Sequence, residues 1–400
     1  MPEKHRFLIL TSDSGFGHRT SANSIAKALI LRYPSGAQAY VVNPIFEDSA
    51  SRFLQRAEEN YDSTVKDHPD FYRFAYEISE TRSIKTLVES TLTLALHKTL
   101  KSLIKEIHPS AIASTNQMFT TPVASVLNDL NMRTPFFTVV TDLAEVHTLW
   151  FNKGPDRYFV ASDRVRAKAI TSGVDPQKVT ISGIPVDPDF KLSNITPVDM
   201  RLRLGLKPDL TTLLIVGSKR VSGIYDNLKA LEQVKYPFQV VVIAGGDDEL
   251  YARLNQHPWA FPIHIENYVY NIPEWMRASD LLITKAGGLI LSEGLAAGLP
   301  IILIDYLPGQ EEGNVRFILD HESGETVETP EEFYLLIDSW LKEHQKQLKA
   351  RAKNARDLGR PEAAIVIAEA LWLAAEHASH PLIHYSERQQ QYDEFQHNQY

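Results

Sequence analysis

Two glycine-containing junctions carry side chains that could do chemistry. In residues 11–21, a strand-like run is followed by Gly15, Gly17 and His18. Glycines allow a sharp backbone turn at the carboxyl end of a strand, which is where open α/β sheets bind ligands. An imidazole presented there titrates near neutral pH and could take a proton from a hydroxyl nucleophile. A histidine at a helix start could equally be a capping or packing residue.

The second junction follows the apolar run 281–284 and opens with Gly287 and Gly288. A buried strand that feeds a glycine pair at the start of a helix exposes N–H groups and the positive end of a helix dipole. Both features attract phosphate. Glu293 lies one to two turns into that helix and could accept hydrogen bonds from an attached ribose. The pattern predicts a phosphate-bearing ligand, although a tight turn without a ligand would look the same.

Two further segments follow predicted strands and would face the same cleft. Residues 140–147 contain Asp142 and His147, and Asp142 could bind substrate or form an Asx turn. Residues 308–314 follow the run 301–305 and place amide and carboxylate groups beside the glycine-pair helix, where they suit sugar hydroxyls. None of these segments has the short spacing of metal ligands, so we predict no metal site.

Short aliphatic runs alternate with helical patterns along both halves of the chain. The runs are continuous, which is typical of parallel strands that are covered on both faces. We therefore predict an α/β fold of two doubly wound, Rossmann-like domains that face each other across a cleft. The proline-rich stretch 183–197 marks the boundary. The predicted units are a first domain at 1–190, a second domain at 191–378 and a disordered tail at 379–400.

Composition limits the classes of function and partner that the chain could have. The 400 residues contain no cysteine and carry a formal charge of −9, which excludes disulfides and disfavours nucleic acid as a partner. The chain begins without a signal-peptide pattern and has no transmembrane stretch, so we expect a cytoplasmic protein. Residues 51–107 read as helical and include an aromatic cluster, Phe71 to Tyr76, with basic neighbours. This segment could dip into a bilayer interface or pack on the domain as a helical insert.

Five blocks of the sequence, at residues 12–22, 141–147, 182–186, 284–289 and 308–314, carry a resemblance. Together, and in the order in which they occur, they resemble the monogalactosyldiacylglycerol synthase and processive diacylglycerol glucosyltransferase group of glycosyltransferase family 28. The resemblance implies a GT-B fold. It also implies inverting transfer of glucose or galactose from a UDP-sugar to the hydroxyl of diacylglycerol, without metal or cofactor. The enzyme would work peripherally at the inner face of the cell membrane, on anionic lipids.

The resemblance also assigns residues. It makes His18 the base that deprotonates the acceptor hydroxyl. The acceptor would bind near Gly15, Gly17, Asp142 and His147. The donor would bind, in the second domain, to Gly217, Ser218, Val269, Gly287, Gly288, Leu289, Ile290, Glu293, Gln310, Glu311 and Asn314. Within that set, Val269 lies against the uracil, Glu293 holds the ribose, the amides of residues 288–290 hold the diphosphate, and Gln310 with Glu311 binds the sugar hydroxyls.

Two alternatives stay open on the sequence alone. A sister group with the same fold transfers N-acetylglucosamine to a polyprenyl-diphosphate-linked acceptor, although the blocks at 141–143 and 308–311 favour diacylglycerol. A non-catalytic nucleotide-sugar-binding module would explain the altered loop 217–223, where the family has more glycine. Such a module has little need for His18 opposite a phosphate site.

Overall fold

The structure is a computed structural model, and it describes residues 4–13, 16–47, 55–56, 82–309, 311–342 and 345–379. These residues form two parallel β-sheets of six strands each. Apolar clusters lie on both faces of both sheets, under the helices that cover them. The predicted α/β fold of two doubly wound domains is therefore confirmed. We call the parts built on the first and second sheets the first and second lobes.

The first sheet has the strand order β2-β1-β3-β4-β5-β6. Its strands are β1 His5–Leu10, β2 Ala37–Val42, β3 Ala111–Ser114, β4 Phe136–Val139, β5 Arg157–Val160 and β6 Val179–Ile181. Its helices are α1 Phe16–Arg32, α2 Arg82–Ile107, α3 Thr120–Asp129 and α4 Asp163–Thr171. Phe7 to Leu10 are fully buried because β1 is a central strand with helices on both of its faces.

The second sheet has the order β12-β11-β10-β7-β8-β9. Its strands are β7 Thr211–Val216, β8 Phe238–Ile243, β9 Ile263–Glu266, β10 Leu281–Lys285, β11 Ile301–Asp305 and β12 Gly324–Thr326. Two short helices, α5 Asp189–Leu192 and α6 Pro197–Arg203, lie in the segment that leads into it. The remaining helices are α7 Ile224–Ala230, α8 Asp248–Gln256, α9 Ile272–Arg277, α10 Gly288–Ala296, α11 Glu312–Asp320, α12 Pro330–Leu341, α13 Lys346–Leu358 and α14 Ala363–Ser379.

Strand order fixes where each sheet can bind a ligand. In the first sheet the direction of winding reverses between β1 and β3, and in the second it reverses between β7 and β10. Loops on either side of such a reversal diverge and leave a crevice at the carboxyl ends of the strands. His18 follows β1, and the glycine pair follows β10. Both predicted chemical junctions therefore lie at the reversal points.

Helix α14 belongs to the first lobe. Residues of α14, from Ala364 to Ala375, are buried in one cluster with Phe7, Ile9 and Leu29. Trp372 stacks on Tyr33, with ring centroids 4.0 Å apart. The predicted second domain, 191–378, included this helix, so its extent was wrong at that end. Except for Ser379, the predicted tail lies outside the described residues.

Helix α2 covers the described end of the predicted 51–107 helical region. Leu92, Leu96, Leu100 and Ile104 are buried against the first sheet, as an insert packed on the domain requires. The aromatic cluster that begins at Phe71 lies outside the described residues. Bilayer insertion of that segment therefore stays a prediction.

Candidate functional site

His18 is held in one orientation at the start of α1. Its Nδ1 lies 2.7 Å from the carbonyl oxygen of Thr115 and 2.8 Å from Oγ1 of Thr141. Because a carbonyl oxygen can only accept, Nδ1 carries the proton and donates it to Thr115. The Nε2 atom is then left with a lone pair. The first turn of α1 and the loops after β3 and β4 thus combine to fix the tautomer that a general base needs.

Burial also sets the charge of His18. Desolvation lowers its pKa from 6.5 to about 4, and the hydrogen bond to Thr115 only partly opposes this. The imidazole is therefore neutral at physiological pH. A neutral ring whose Nε2 lacks a proton can accept one from a hydroxyl group.

The other predicted acceptor residues lie near His18 or support its surroundings. Asp142 accepts a 2.7 Å hydrogen bond from Nε1 of Trp150, and burial raises the pKa of Asp142 to about 6. The Trp150 ring centroid is 6.3 Å from that of His18. His147 is buried and its Nδ1 accepts from the Leu149 amide at 3.0 Å, so it caps a short turn. Gly15 lies outside the described residues.

The glycine-pair helix faces His18 across the lobes. Helix α10 begins at Gly288, and its N-cap residue Gly287 provides no side-chain cap. Among the described residues, no acceptor is recorded for the amides of Gly288, Leu289 and Ile290. A Cβ atom placed on Gly17 would lie 3.8 Å from Cβ of Leu289. The first turn of α1 and the first turn of α10 are therefore opposed, with uncapped amides on the second side.

Glu293 lies on α10 and is 5% exposed. No hydrogen bond to its carboxyl group is recorded among the residues that the structure describes. Burial is the main cause that raises the pKa of Glu293, to about 8, and the negative charge of Asp187 adds to the shift. A buried carboxyl group without a partner is costly unless a ligand completes it. Its surroundings suit a hydroxyl-bearing ligand that donates hydrogen bonds.

The segment after β11 contacts the residues directly before the glycine pair. Glu311 forms an ion pair with Lys285, and its Oε2 accepts from the Leu307 amide at 2.8 Å. Asn314 donates from Nδ2 to the carbonyl oxygen of Ala286 at 2.9 Å. Gln310 lies outside the described residues. The sequence analysis assigned roles to Glu311 and Asn314 but none to Lys285. The pattern that could have identified Lys285 is a cationic residue directly before Ala-Gly-Gly.

The loops after β7, β8 and β9 lie at the carboxyl ends of these strands in the second sheet. The Gly217 amide donates to the Ile243 carbonyl at 2.8 Å, and the Ser218 hydroxyl accepts from the Arg220 amide. Gly245 has φ +69°, and a Cβ atom on it would lie 2.1 Å from the Gly217 oxygen. Two loops can cross this closely because neither residue has a side chain. Val269 is partly buried and packs on the core that joins the lobes.

That shared core brings the lobes together. Leu143 and Ile184 are buried in one cluster with Leu291 and Leu295 of α10. A Cβ atom on Gly288 would lie 3.5 Å from the Thr141 oxygen and 3.6 Å from the Leu143 nitrogen. The loop that carries Asp142 therefore packs directly on the start of α10.

Glu145 adds a polar contact between the lobes, which the sequence analysis did not identify. Its Oε1 accepts from Arg316 of α11 at 2.6 Å and from Arg164 of α4 at 3.2 Å. A Cβ atom on Gly313 would lie 2.3 Å from Cγ of Glu145, so only glycine allows this approach. One carboxylate thus pairs with a cation in each lobe.

Within the described ranges, no group of three or more His, Asp or Glu side chains is placed to hold a metal ion. No helix in those ranges has the length and hydropathy needed to cross a bilayer.

Comparison with known proteins places this geometry in a family. The sequence profile described as "Monogalactosyldiacylglycerol (MGDG) synthase" matches residues 18–186, and that described as "Glycosyl transferases group 1" matches residues 204–358. The chain is 31% identical over 366 residues to monogalactosyldiacylglycerol synthase 2, chloroplastic, of Arabidopsis thaliana, a match that covers 89% of this chain and 78% of that one. It is 30% identical, with the same coverage, to the probable monogalactosyldiacylglycerol synthase 2 of Oryza sativa subsp. japonica.

Solved structures show the same fold. The crystal structure of Acinetobacter baumannii MurG matches with a TM-score of 0.58 at 15% identity, over 92% of this chain and 99% of that chain. Anabaena Alr3699/HepE in complex with UDP and glucose matches with a TM-score of 0.54 at 14% identity, over 92% and 100%. The architecture is therefore the GT-B fold that the sequence predicted. With identity above 30% along most of its length, this chain is a glycosyltransferase and belongs to the monogalactosyldiacylglycerol synthase family.

Proposed function

We propose that this protein is an inverting hexosyltransferase that moves glucose or galactose from a UDP-sugar to the hydroxyl of diacylglycerol. The observation that carries the proposal is the opposition of His18, with Nε2 unprotonated, to the uncapped amides of α10. One side can activate a hydroxyl nucleophile, and the other can bind a diphosphate leaving group. The relatives are named for monogalactosyldiacylglycerol, which favours galactose as the sugar.

The proposed reaction is a single displacement. The acceptor oxygen bonds to the anomeric carbon while its proton passes to Nε2 of His18. The bond between the anomeric carbon and the diphosphate oxygen breaks, and its electron pair leaves with UDP. Attack from the face opposite the leaving group inverts the anomeric centre. The chain supplies the base, the amides of residues 288–290 for the diphosphate and Glu293 for the ribose, and no metal or cofactor takes part.

One exposed face of α2 supports the proposal that the enzyme acts at a membrane surface. Leu87 and Leu94 are 66% and 82% exposed, and Lys98 and Lys105 continue the same helix face. Apolar side chains followed by lysines suit a bilayer interface that contains anionic lipids. We place the enzyme peripherally on the cytoplasmic face of the membrane.

The assay that tests the proposal uses the full chain with vesicles. We expect incubation with diacylglycerol vesicles and UDP-galactose or UDP-glucose to yield a hexosyl diacylglycerol of inverted anomeric configuration, seen by mass spectrometry and NMR. Including anionic lipid should raise the rate. Transfer of N-acetylglucosamine to a polyprenyl-diphosphate-linked acceptor in place of this product would overturn the acceptor assignment. Binding of UDP with no product from any acceptor would instead identify a binding module.

The contact between Glu145 and Arg316 gives a further prediction. Arg316→Met removes the pair between the lobes but leaves Arg164 to neutralise Glu145. We expect kcat/KM for the UDP-hexose to fall by about threefold to tenfold, since small displacements of facing groups slow the reaction. The melting temperature should hardly change, because exposed ion pairs contribute about 1 kcal/mol or less.

Arg164→Met is the matched control, because Arg164 pairs with the same oxygen from within the first lobe. It should retain the kcat/KM of the wild type. Equal losses in both variants would show that Glu145 does not act by joining the lobes.

A further inference from the structure

Lys285 is a largely buried cation beside the positive N-terminal end of a helix. It is the last residue of β10, where the register with β11 shifts between Thr284 and Lys285. Its side chain is only 16% exposed. A Cβ atom built on Gly287 would lie 3.7 Å from Nζ of Lys285 and 3.8 Å from Oε1 of Glu311. The ammonium group therefore lies beside the N-cap residue of α10.

The electrostatic surroundings of the Lys285 ammonium group stabilise an anion. The N-terminal end of a helix is positive, so an ammonium group beside it is unfavourable by itself. Helix α10 has no acidic residue in its first turn and no side-chain cap. The carboxylate recorded beside the ammonium group is Glu311, which is 9% exposed and also accepts from the Leu307 amide. Two positive groups thus converge on one side of the glycine pair, balanced by a carboxylate from the neighbouring loop.

We propose that Lys285 is a catalytic residue whose ammonium group binds the donor diphosphate and neutralises the charge on departing UDP. This inference rests on the proposed function. In the unliganded enzyme Glu311 holds the ammonium group in place, and the diphosphate competes for it when the donor binds. Lys285 keeps its three protons throughout. The electron pair of the broken bond goes to the diphosphate oxygen, and a fixed cation beside that oxygen lowers the barrier.

Nucleotide affinity separates this role from simple ion pairing. Uridine and UDP share the base and ribose but differ in the diphosphate. By calorimetry, Lys285→Met should bind UDP about tenfold to a hundredfold more weakly than the wild type and bind uridine equally well. Lys285→Arg keeps the charge and should restore most of the UDP affinity. Unchanged uridine affinity also shows that the variant is folded.

The double variant Lys285→Met with Glu311→Gln provides the decisive comparison. If Lys285 binds the diphosphate, the double variant binds UDP as weakly as Lys285→Met does, whereas Glu311→Gln alone binds UDP at least as tightly as the wild type. If Lys285 only neutralises a buried carboxylate, removing both charges restores UDP affinity, and our inference is wrong. A wild type that transfers hexose while Lys285→Met keeps its UDP affinity overturns this inference alone. A wild type that binds UDP no better than uridine overturns the proposed function as well.

Discussion

Replacing His18 with alanine is expected to lower kcat at saturating UDP-hexose by at least about a hundredfold, because a general base typically contributes that much or more. The affinity for UDP, measured by calorimetry, should stay within about twofold of the wild type, since the proposed diphosphate site lies on the other lobe. The exposed His377 on α14 offers a matched control, and His377→Ala should retain full turnover. Turnover of His18→Ala within tenfold of the wild type would remove His18 from the role of base.

The pKa of His18 makes the same assignment testable without turnover. Desolvation lowers that pKa from 6.5 to about 4, so the neutral, basic form persists as the pH falls and is lost only near pH 4. An ordinary histidine would be about nine-tenths protonated at pH 5.5. NMR titration of the free protein, with the His18→Ala variant to assign the resonance, should show the His18 ring titrating well below pH 5.5. Titration near 6.5 would mean that the ring is solvated.

Replacing Glu293 with glutamine is expected to stabilise the protein while it weakens nucleotide binding. The raised pKa of Glu293 means that the folded state disfavours its ionised form. The resulting cost begins as the pH rises through 4.5 and is complete above about 8, at about 1.4 kcal/mol for each pKa unit. Glu293→Gln avoids that cost. At pH 8 its melting temperature should therefore exceed that of the wild type by about 5 °C or more, and at pH 4 the two should coincide.

The affinity of Glu293→Gln for UDP should fall, although its stability rises. Glutamate presents two oxygens to the ribose hydroxyls, whereas a glutamine amide has one acceptor oxygen, so we expect UDP to bind about tenfold more weakly. Glu328→Gln, at an exposed position of the second lobe, is the control and should change neither quantity. Equal melting curves for wild type and Glu293→Gln from pH 4 to pH 8 would contradict the raised pKa of the Glu293 carboxyl group. Such an exchange of stability for binding is common at functional sites.

The sequence predicted the chemical junctions because their signals are local. A strand, a glycine pair and a helix follow one another at residues 281–294, so the exposed amides could be inferred from neighbouring residues alone. His18 was likewise identified from its place after β1. What the sequence could not show is the hydrogen bond of His18 to Thr115, 97 residues away, which selects its tautomer.

Contacts between distant residues account for what the sequence missed. Lys285 and Glu311 are 26 residues apart, and Glu145 and Arg316 are 171 residues apart. A charged side chain in a sequence carries no sign of its partner when the partner comes from another loop or lobe. The packing of α14 on the first sheet could not be predicted for a related reason. An apolar helical pattern shows that one face of a helix is buried but not which sheet buries it.

The return of α14 to the first lobe has a mechanical consequence. The chain crosses between the lobes twice, once before β7 and once after α13, so two covalent tethers connect them. Two tethers restrict twisting of one lobe against the other, so any change in the gap between His18 and α10 would take the form of a hinge motion. They also make α14, the last helix of the described residues, a structural part of the lobe that bears His18, with Trp372 packed against Gly36. A fragment cut at residue 190 would lack that helix and expose the apolar surface around Phe7 and Leu29.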